Sequence, residues 1–219
     1  FSSVSKNYDL MNDVMSFGLH RVWKDYFVRV LNLHHANTIL DLAAGTGDIS
    51  KRMYQKLSKS GKIIIADYNL PMMQKGHESL LNNGIIHECC IVDGHHLPFK
   101  ENTFDHIVIS FGLRNMDKHD LVLKSCLKAL KPKGYLSVLE FSKPENDVFS
   151  KLYDWYSFNV LPKLGSVLAN DSDSYQYLAE SIRMHPDQET LKGMVHDSGF
   201  SECKFYNLVN GVVAIHKAK

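Results

Sequence analysis

Short apolar runs alternate with segments of helical period through the middle of the chain. The runs at 38–42, 62–66, 87–92, 104–110 and 135–141 predict strands, being apolar and bounded by turn residues. Segments at 50–59, 71–82 and 117–130 predict the intervening helices. In the last of these Val122, Leu123, Cys126, Leu127 and Leu130 share one face, and Lys131-Pro132-Lys133-Gly134 stops it. Repeated alternation predicts an α/β fold built on a parallel sheet.

Two regions break the pattern. Toward the end, Asn210-Gly211 joins β-like runs at 203–209 and 212–217, a hairpin signal that adds an antiparallel strand. Pro186-Asp187 opens a helix ahead of it and Gly199 closes that helix. At the beginning, Val4, Tyr8, Met11 and Met15, then Trp23, Phe27, Val30 and Leu31, predict two amphipathic helices parted near Ser16-Phe17-Gly18. Such stripes are packing faces; Tyr8 and Asp9 gain a role only where the segment folds over a ligand. Residues 142–185 follow the fifth strand and carry Tyr153, Trp155, Tyr156, Phe158, Tyr175 and Tyr177, interrupted by Pro162 and Gly165. They are read as a lid or acceptor pocket over the sheet edge, or equally as a helical hairpin packed for stability. One domain is expected over 1–219, with helices in 1–35 and the insertion at 142–185.

The chemistry starts in Ile39-Leu40-Asp41-Leu42-Ala43-Ala44-Gly45-Thr46-Gly47-Asp48, where a strand ends in a carboxylate, small residues turn the chain and a helix begins. Glycines here let a ligand lie against converging backbone N–H groups, although many helices start this way and bind nothing. Asp67 closes the next run about 20 residues past Gly47, the interval at which a Rossmann-type fold sets an acid on a ribose hydroxyl pair. The third glycine of the dinucleotide fingerprint is replaced by Ser50. NAD is thereby disfavoured and a single nucleoside favoured. A third run ends in Asp93-Gly94. The competing reading is that these strand-end aspartates only cap the helices that follow.

Composition changes little in this picture. Of 219 residues, 25 Lys and Arg balance 24 Asp and Glu for a net charge of +1, which leaves no electrostatic footprint for nucleic acid. Cys89, Cys90, Cys126 and Cys203 show no CxxC spacing and lie mostly in apolar runs, so they read as buried free thiols of a reducing compartment. The pairs His34-His35 and His95-His96 lack metal-ligand spacing, and no metal is expected. No apolar run has the length to span a bilayer. The chain opens on Phe1 inside a helical pattern, so the sequence is silent on any targeting segment upstream.

Several longer motifs are more specific. Tyr8-Asp9-Leu10-Met11-Asn12-Asp13, His20-Arg21-Val22-Trp23-Lys24 and the loop at 41–48 come first. Ser110-Phe111-Gly112-Leu113-Arg114-Asn115, Glu140-Phe141-Ser142-Lys143-Pro144 and Tyr177-Leu178-Ala179-Glu180-Ser181-Ile182 follow. Together they resemble, from end to end, the S-adenosylmethionine-dependent C-methyltransferases of ubiquinone and menaquinone biosynthesis. The resemblance implies a Rossmann-like class I methyltransferase fold: a seven-stranded, mostly parallel sheet with one antiparallel strand, helices on both faces and a helical lid insertion. It implies S-adenosylmethionine as cofactor. Asp41 belongs to the implied cofactor set; Thr46 with Gly45 and Gly47 lines the methionine end. Asp67 holds the ribose hydroxyls, Asp93 and Gly94 surround the adenine, and Ser110 sits beside the cofactor. Two departures from the family stand out: Tyr68-Asn69-Leu70-Pro71 replaces a more helix-prone stretch, and Lys133 replaces a frequent glycine.

The implied reaction is methyl transfer to a ring carbon of a polyprenylated benzoquinol, a demethylmenaquinol, or both. It needs an in-line approach with water excluded, and a base or a water leading to one, because the ring carbon becomes nucleophilic when its hydroxyl loses a proton. Arg114 stays protonated. Its expected role is to stabilise the developing phenolate or order a water, with Asn115 as hydrogen-bond partner. Tyr8 and Glu140 are candidates for proton relay or quinol contact, and an ion pair between Arg114 and Glu140 is the structural alternative. The acceptor's tail implies peripheral membrane contact, with 153–168 as the candidate surface. The family further implies a homodimer or a quinone-biosynthesis complex, in the cytoplasm at the inner membrane or in the mitochondrial matrix. Two other readings stand beside this one. The same fold serves other small-molecule acceptors, and a non-catalytic cofactor-binding or interaction protein is the reading favoured where cofactor binds without turnover or where Arg114 and Asn115 are buried away from the crevice.

Overall fold

The computed structural model describes residues 13, 16, 18–33, 38–57, 60–146 and 172–219. Tyr8, the first amphipathic stripe and the candidate surface at 153–168 lie outside them. The apolar runs form five parallel strands: β1 (Thr38–Leu42), β2 (Lys62–Asp67), β3 (Glu88–Ile91), β4 (Phe104–Ser110) and β5 (Leu130–Phe141). The C-terminal pair, β6 (Cys203–Leu208) and β7 (Val213–Ala218), completes a seven-stranded sheet of order β3-β2-β1-β4-β5-β7-β6. β7 runs antiparallel to both β5 and β6. The helices are α1 (Leu19–Leu31), α2 (Asp48–Tyr54), α3 (Leu70–Asn82), α4 (His119–Ala129), α5 (Ser172–Met184) and α6 (Gln188–Asp197).

Strand periodicity sorts the core into two layers. Ile39, Ile63, Ile65, Val108, Leu139 and Phe141 pack with α1, α2, α3 and α5 through Phe27, Met53, Leu80 and Tyr175. The residues between them, Leu40, Leu42, Ile107, Ile109 and Val138, pack with α4 and α6 through Leu123, Cys126, Leu191 and Val195. The central strands are buried on both faces, which is why they read as unbroken apolar runs. α5 belongs to this core: Tyr175 is 1% exposed and Leu178 and Ile182 are buried beside it. The C-terminal end of the 142–185 segment is therefore a packed helix. Cys126 and Cys203 are buried free thiols, whereas Cys89 is exposed because β3 is the sheet's edge.

Three local differences from the sequence reading have physical reasons. α2 starts earlier than expected, at Asp48, because Gly47 takes a left-handed conformation (φ 75°) and turns the chain directly into the helix. β5 starts at Leu130, five residues early: Phe104 pairs with Leu130 and His106 with Tyr135, so 131–134 bulge out of register. Within that bulge Lys133 has φ 68°, the conformation that explains a glycine preference there. The hairpin turn is longer than Asn210-Gly211 alone. Leu208 pairs with Val213, and 209–212 form a docked loop whose carbonyls at Asn210 and Val212 accept from Glu145 N and Ser142 N. The unusual stretch after Asp67 loses nothing, because the Asn69 side chain caps α3 by accepting from Met72 N at 3.0 Å, ahead of Pro71.

α3 lies against the glycine loop through Gly76, where a Cβ would sit 2.6 Å from the Gly45 carbonyl oxygen. Alanine normally improves a helix interior over glycine by about 1 kcal/mol. Here the backbone clash outweighs that gain, and Gly76→Ala is expected to destabilise by about 1–3 kcal/mol. Lys133→Gly, which relieves a left-handed lysine, is expected to stabilise by up to about 1 kcal/mol. Thermal unfolding of both variants checks the pair of opposite signs.

Candidate functional site

All five parallel strands deliver their carboxyl ends to one edge, and the strand order reverses between β1 and β4. Loops leaving that pair in opposite directions open a crevice, the usual ligand position in such sheets. A cavity of about 440 Å³ lies there. Its walls come from Leu42, Ala43 and Gly45 after β1, from Asp67, Asn69 and Met72 at β2 and α3, from Val92 to His95 after β3, and from Phe111, Gly112, Asn115 and Met116 after β4. The β1 and β4 loops touch closely: a Cβ on Gly112 would be 2.5 Å from Ala43 Cβ. Ala43 (φ 59°) and Phe111 (φ 53°) both hold left-handed backbone without being glycine, strain of the kind that gathers at functional sites. A groove of about 530 Å³ lies between Tyr54, Lys62 and Glu88, at the starts of β2 and β3. Larger but remote from the convergent polar groups, it lacks their chemistry.

The acids have three different environments. Asp67 is 9% exposed; its Oδ2 accepts from Gly45 N at 2.8 Å and its Oδ1 from Asn69 N at 2.8 Å. Burial still raises its carboxyl above the usual range, against those two hydrogen bonds. Asp41 is 1% exposed and bonds Ser50 Oγ at 2.6 Å, beneath the glycine loop. Burial pushes its carboxyl up to about 7, and the nearby Asp67 charge adds to the shift. Asp93 is half exposed at the cavity's other side, and its bonds to His95 hold its carboxyl below the usual range. Gly94 sits close under Met116, whose Sδ would be 3.1 Å from a Cβ there and would have to shift to admit a side chain.

The loop at 45–47 is held from behind as well. Gly47 packs on Leu80 and Gly76, and Lys24 of α1, 6% exposed, donates to Asp48 Oδ2 at 2.8 Å. Arg52 pairs with Asp48 and with Asp25. Thr46 faces a second, smaller cleft with His20, Arg21, Lys51 and Ser79.

On the β4 side, Arg114 and Glu140 form a buried ion pair. Arg114 Nη1 lies 2.7 Å from Glu140 Oε1 and 2.6 Å from the Phe111 carbonyl, and Arg114 N donates to Glu140 Oε2 at 3.2 Å. Their side chains are 3% and 2% exposed. The structural alternative for this pair is thus realised, and neither side chain lines the cavity. Asn115, on the same turn, does line it, and its Oδ1 accepts from Tyr177 Oη of α5 at 3.4 Å. Ser110 Oγ is buried among these groups without a hydrogen-bond partner among the described residues. His119 bonds the Leu113 carbonyl through Nε2 at 3.1 Å, and its ring meets His185 edge-on.

Sequence reasoning brought Gly45, Asp67, Asp93, Gly94 and Asn115 to the cavity. It missed Asn69, Met72, His95, Phe111, Gly112 and Met116. A signal was available for most of them: each follows directly on the carboxyl end of a predicted parallel strand, where the crevice must lie. Tyr177 stood among the aromatics of the expected lid or acceptor pocket, but its contact with Asn115 follows only from the packing of α5.

Comparison with known proteins follows the same line. The model of the ubiE/COQ5 methyltransferase family matches residues 1–219. The ubiquinone/menaquinone biosynthesis C-methyltransferase UbiE of Escherichia coli is 52% identical over 219 residues, covering 99% of this chain and 87% of the relative. Among solved structures, a SAM-dependent methyltransferase from Aquifex aeolicus superposes with a TM-score of 0.69 at 16% identity, covering 100% of this chain and 97% of that one. The putative methyltransferase bound to the Trm112 activator in Haloferax volcanii gives 0.71 at 12% identity, covering 100% and 96%. These two likenesses concern the fold alone.

Asp41 carries a pH signature. Its native carboxyl binds a proton up to about pH 7, whereas the unfolded one releases it near 4. The native state therefore holds the extra proton in between, and stability falls as pH rises from about 4 to 7, by an order of a few kcal/mol. Asp41→Asn keeps an acceptor for Ser50 without the charge. Its melting temperature is expected to gain on the wild type as pH rises from 5 to 8; parallel curves for the two proteins would contradict the assignment.

Proposed function

The chain belongs to the ubiE/COQ5 methyltransferase family, and on that premise we propose that it transfers a methyl group from S-adenosylmethionine to a ring carbon of a polyprenylated benzoquinol, a demethylmenaquinol, or both, in ubiquinone and menaquinone biosynthesis. Asp67 is the observation that carries the cofactor. Its two oxygens accept from Gly45 N and Asn69 N, with the Tyr68 amide also close, and a carboxylate has about four acceptor positions, which leaves capacity for a diol. Met72, Val92, Phe111 and Met116 offer apolar surface to a flat base, with Asp93 beside them as an acceptor. Asp41 and Asp67 are both raised by burial, and a cation at the glycine loop relieves that strain. The donor set fits the cofactor in shape and in charge.

When bound, the cofactor supplies an electrophilic methyl on its sulfonium. The chain's part is orientation and charge. Asn115 presents its carboxamide to the cavity; with Oδ1 turned to Tyr177, its N–H groups are the donors for the oxyanion that develops on the acceptor ring. Arg114 and Glu140 act behind it in this reading. Buried and paired with one another, they position the turn that carries Asn115 and do not touch the quinol. Ser110 lies on the same side, and Phe111 and Met116 limit water there. Tyr8 and Asp9 stay candidates for the acceptor side, as does 153–168 for the contact with a bilayer that an isoprenoid tail demands. No helix among the described residues is long and apolar enough to cross a membrane.

The test is transfer of label from S-adenosylmethionine to a polyprenylated methoxybenzoquinol and to a demethylmenaquinol, each beside its oxidised quinone. Label is expected on a ring carbon of reduced acceptors only, and the ratio names the preferred ring. Asn115→Ala is expected to lower kcat by about 100-fold, the worth of one oxyanion donor, with cofactor affinity little changed. Cofactor binding without label on either quinol would overturn the reading.

A further inference from the structure

His95 belongs to neither the cofactor set nor the acceptor set, yet it lines the cavity and sits between two acids. Its backbone N donates to Asp93 Oδ1 at 2.9 Å and its ring Nδ1 lies 2.5 Å from the same oxygen. Its Nε2 lies 2.9 Å from Asp117 Oδ1, off the line of an aligned hydrogen bond and so a charge contact first. The ring is 20% exposed, while Asp93 and Asp117 are 50% and 79% exposed. Asp93 follows β3 and Asp117 follows the turn after β4, so the ring spans the two loops that form one wall of the cavity.

We propose that His95 is a positioning residue for the nucleoside: it ties the β3 loop to the β4 loop through Asp93 and Asp117 and holds the Asp93 carboxylate toward the base. This rests on the cofactor reading above and deepens it. With Oδ1 engaged by His95, Oδ2 is the oxygen left to accept from an exocyclic amine; His96 Nδ1 approaches it only to 4.0 Å. Both ring nitrogens of His95 face carboxylate oxygens, Nδ1 in a hydrogen bond with Asp93 and Nε2 in the looser contact with Asp117. The titratable groups around it are Asp93 and His96 on its own loop and Asp117 on the facing one.

The probe is S-adenosylhomocysteine, whose binding is read without turnover, titrated calorimetrically into the full chain. His95→Ala is expected to bind about tenfold more weakly, the worth of one charge-assisted hydrogen bond. Asp117→Asn, which contributes nothing to the cavity lining, is expected to bind about threefold more weakly for the loss of the weaker contact. The Asp117→Asn deficit should vanish in the His95→Ala background, because the contact it removes is made to the His95 ring. A wild type that binds while both variants match it, or deficits that simply add in the double variant, would overturn the role of His95 alone. A wild type that fails to bind the probe would overturn the cofactor reading and this inference together. Unchanged melting temperatures separate either result from misfolding.

Discussion

The hydrogen bond from Gly45 N to Asp67 Oδ2 joins the ends of two adjacent parallel strands at the edge where the crevice opens. Much else is arranged around it. Gly45 can donate there because its φ of 55° turns the N–H inward, and α3 can close on the loop because Gly76 leaves space for the Gly45 carbonyl. Asn69 caps α3 and donates to the other oxygen of Asp67. One carboxylate thus sets the loop after β1, the start of α3 and the angle of its own remaining lone pairs. A bond of this kind to a charged acceptor is worth about 1.5–3 kcal/mol. Its larger effect is geometric, since it fixes one wall of the crevice.

The opposite wall depends on a different device. Arg114 and Glu140 are buried together, and the pair also ties down the Phe111 carbonyl and the Arg114 and Phe141 amides. A buried pair of this sort adds little net stability over an apolar replacement, yet removing one partner leaves a bare charge at a penalty of about 3–5 kcal/mol. Its value lies in specifying one conformation for a turn that would otherwise have several. Asn115 inherits that precision from one side and Tyr177 supplies it from the other.

The strands were legible because β1, β4 and β5 are buried on both faces, so period and burial agree in their runs. Asp67 was legible because a fixed chain length separates a glycine loop from the end of the next strand. What stayed hidden involved partners distant in sequence. The β5 bulge depends on Phe104 pairing with Leu130 before His106 pairs with Tyr135. The 209–212 loop takes its shape from Ser142, Glu145 and Gln188, so the local preference of Asn210-Gly211 does not decide it. Arg114 divided between a functional and a structural reading because the sequence places Glu140 at the end of the neighbouring strand without saying which way either side chain turns. The motif alone could not separate a side chain that faces the cavity from one that holds its neighbour there.

Asp41 and Asp67 sit near one another with little exposure, and both carboxyls are raised by burial. Two partly desolvated acids weaken a fold on its own, and in a site that had only to be stable they would be replaced. Their positions make sense for a ligand whose positive charge lies at the loop. Such a ligand lowers both carboxyls toward their ordinary range and turns an unfavourable native arrangement into binding energy, releasing protons as it does so. A neutral ligand of the same shape gains none of this relief.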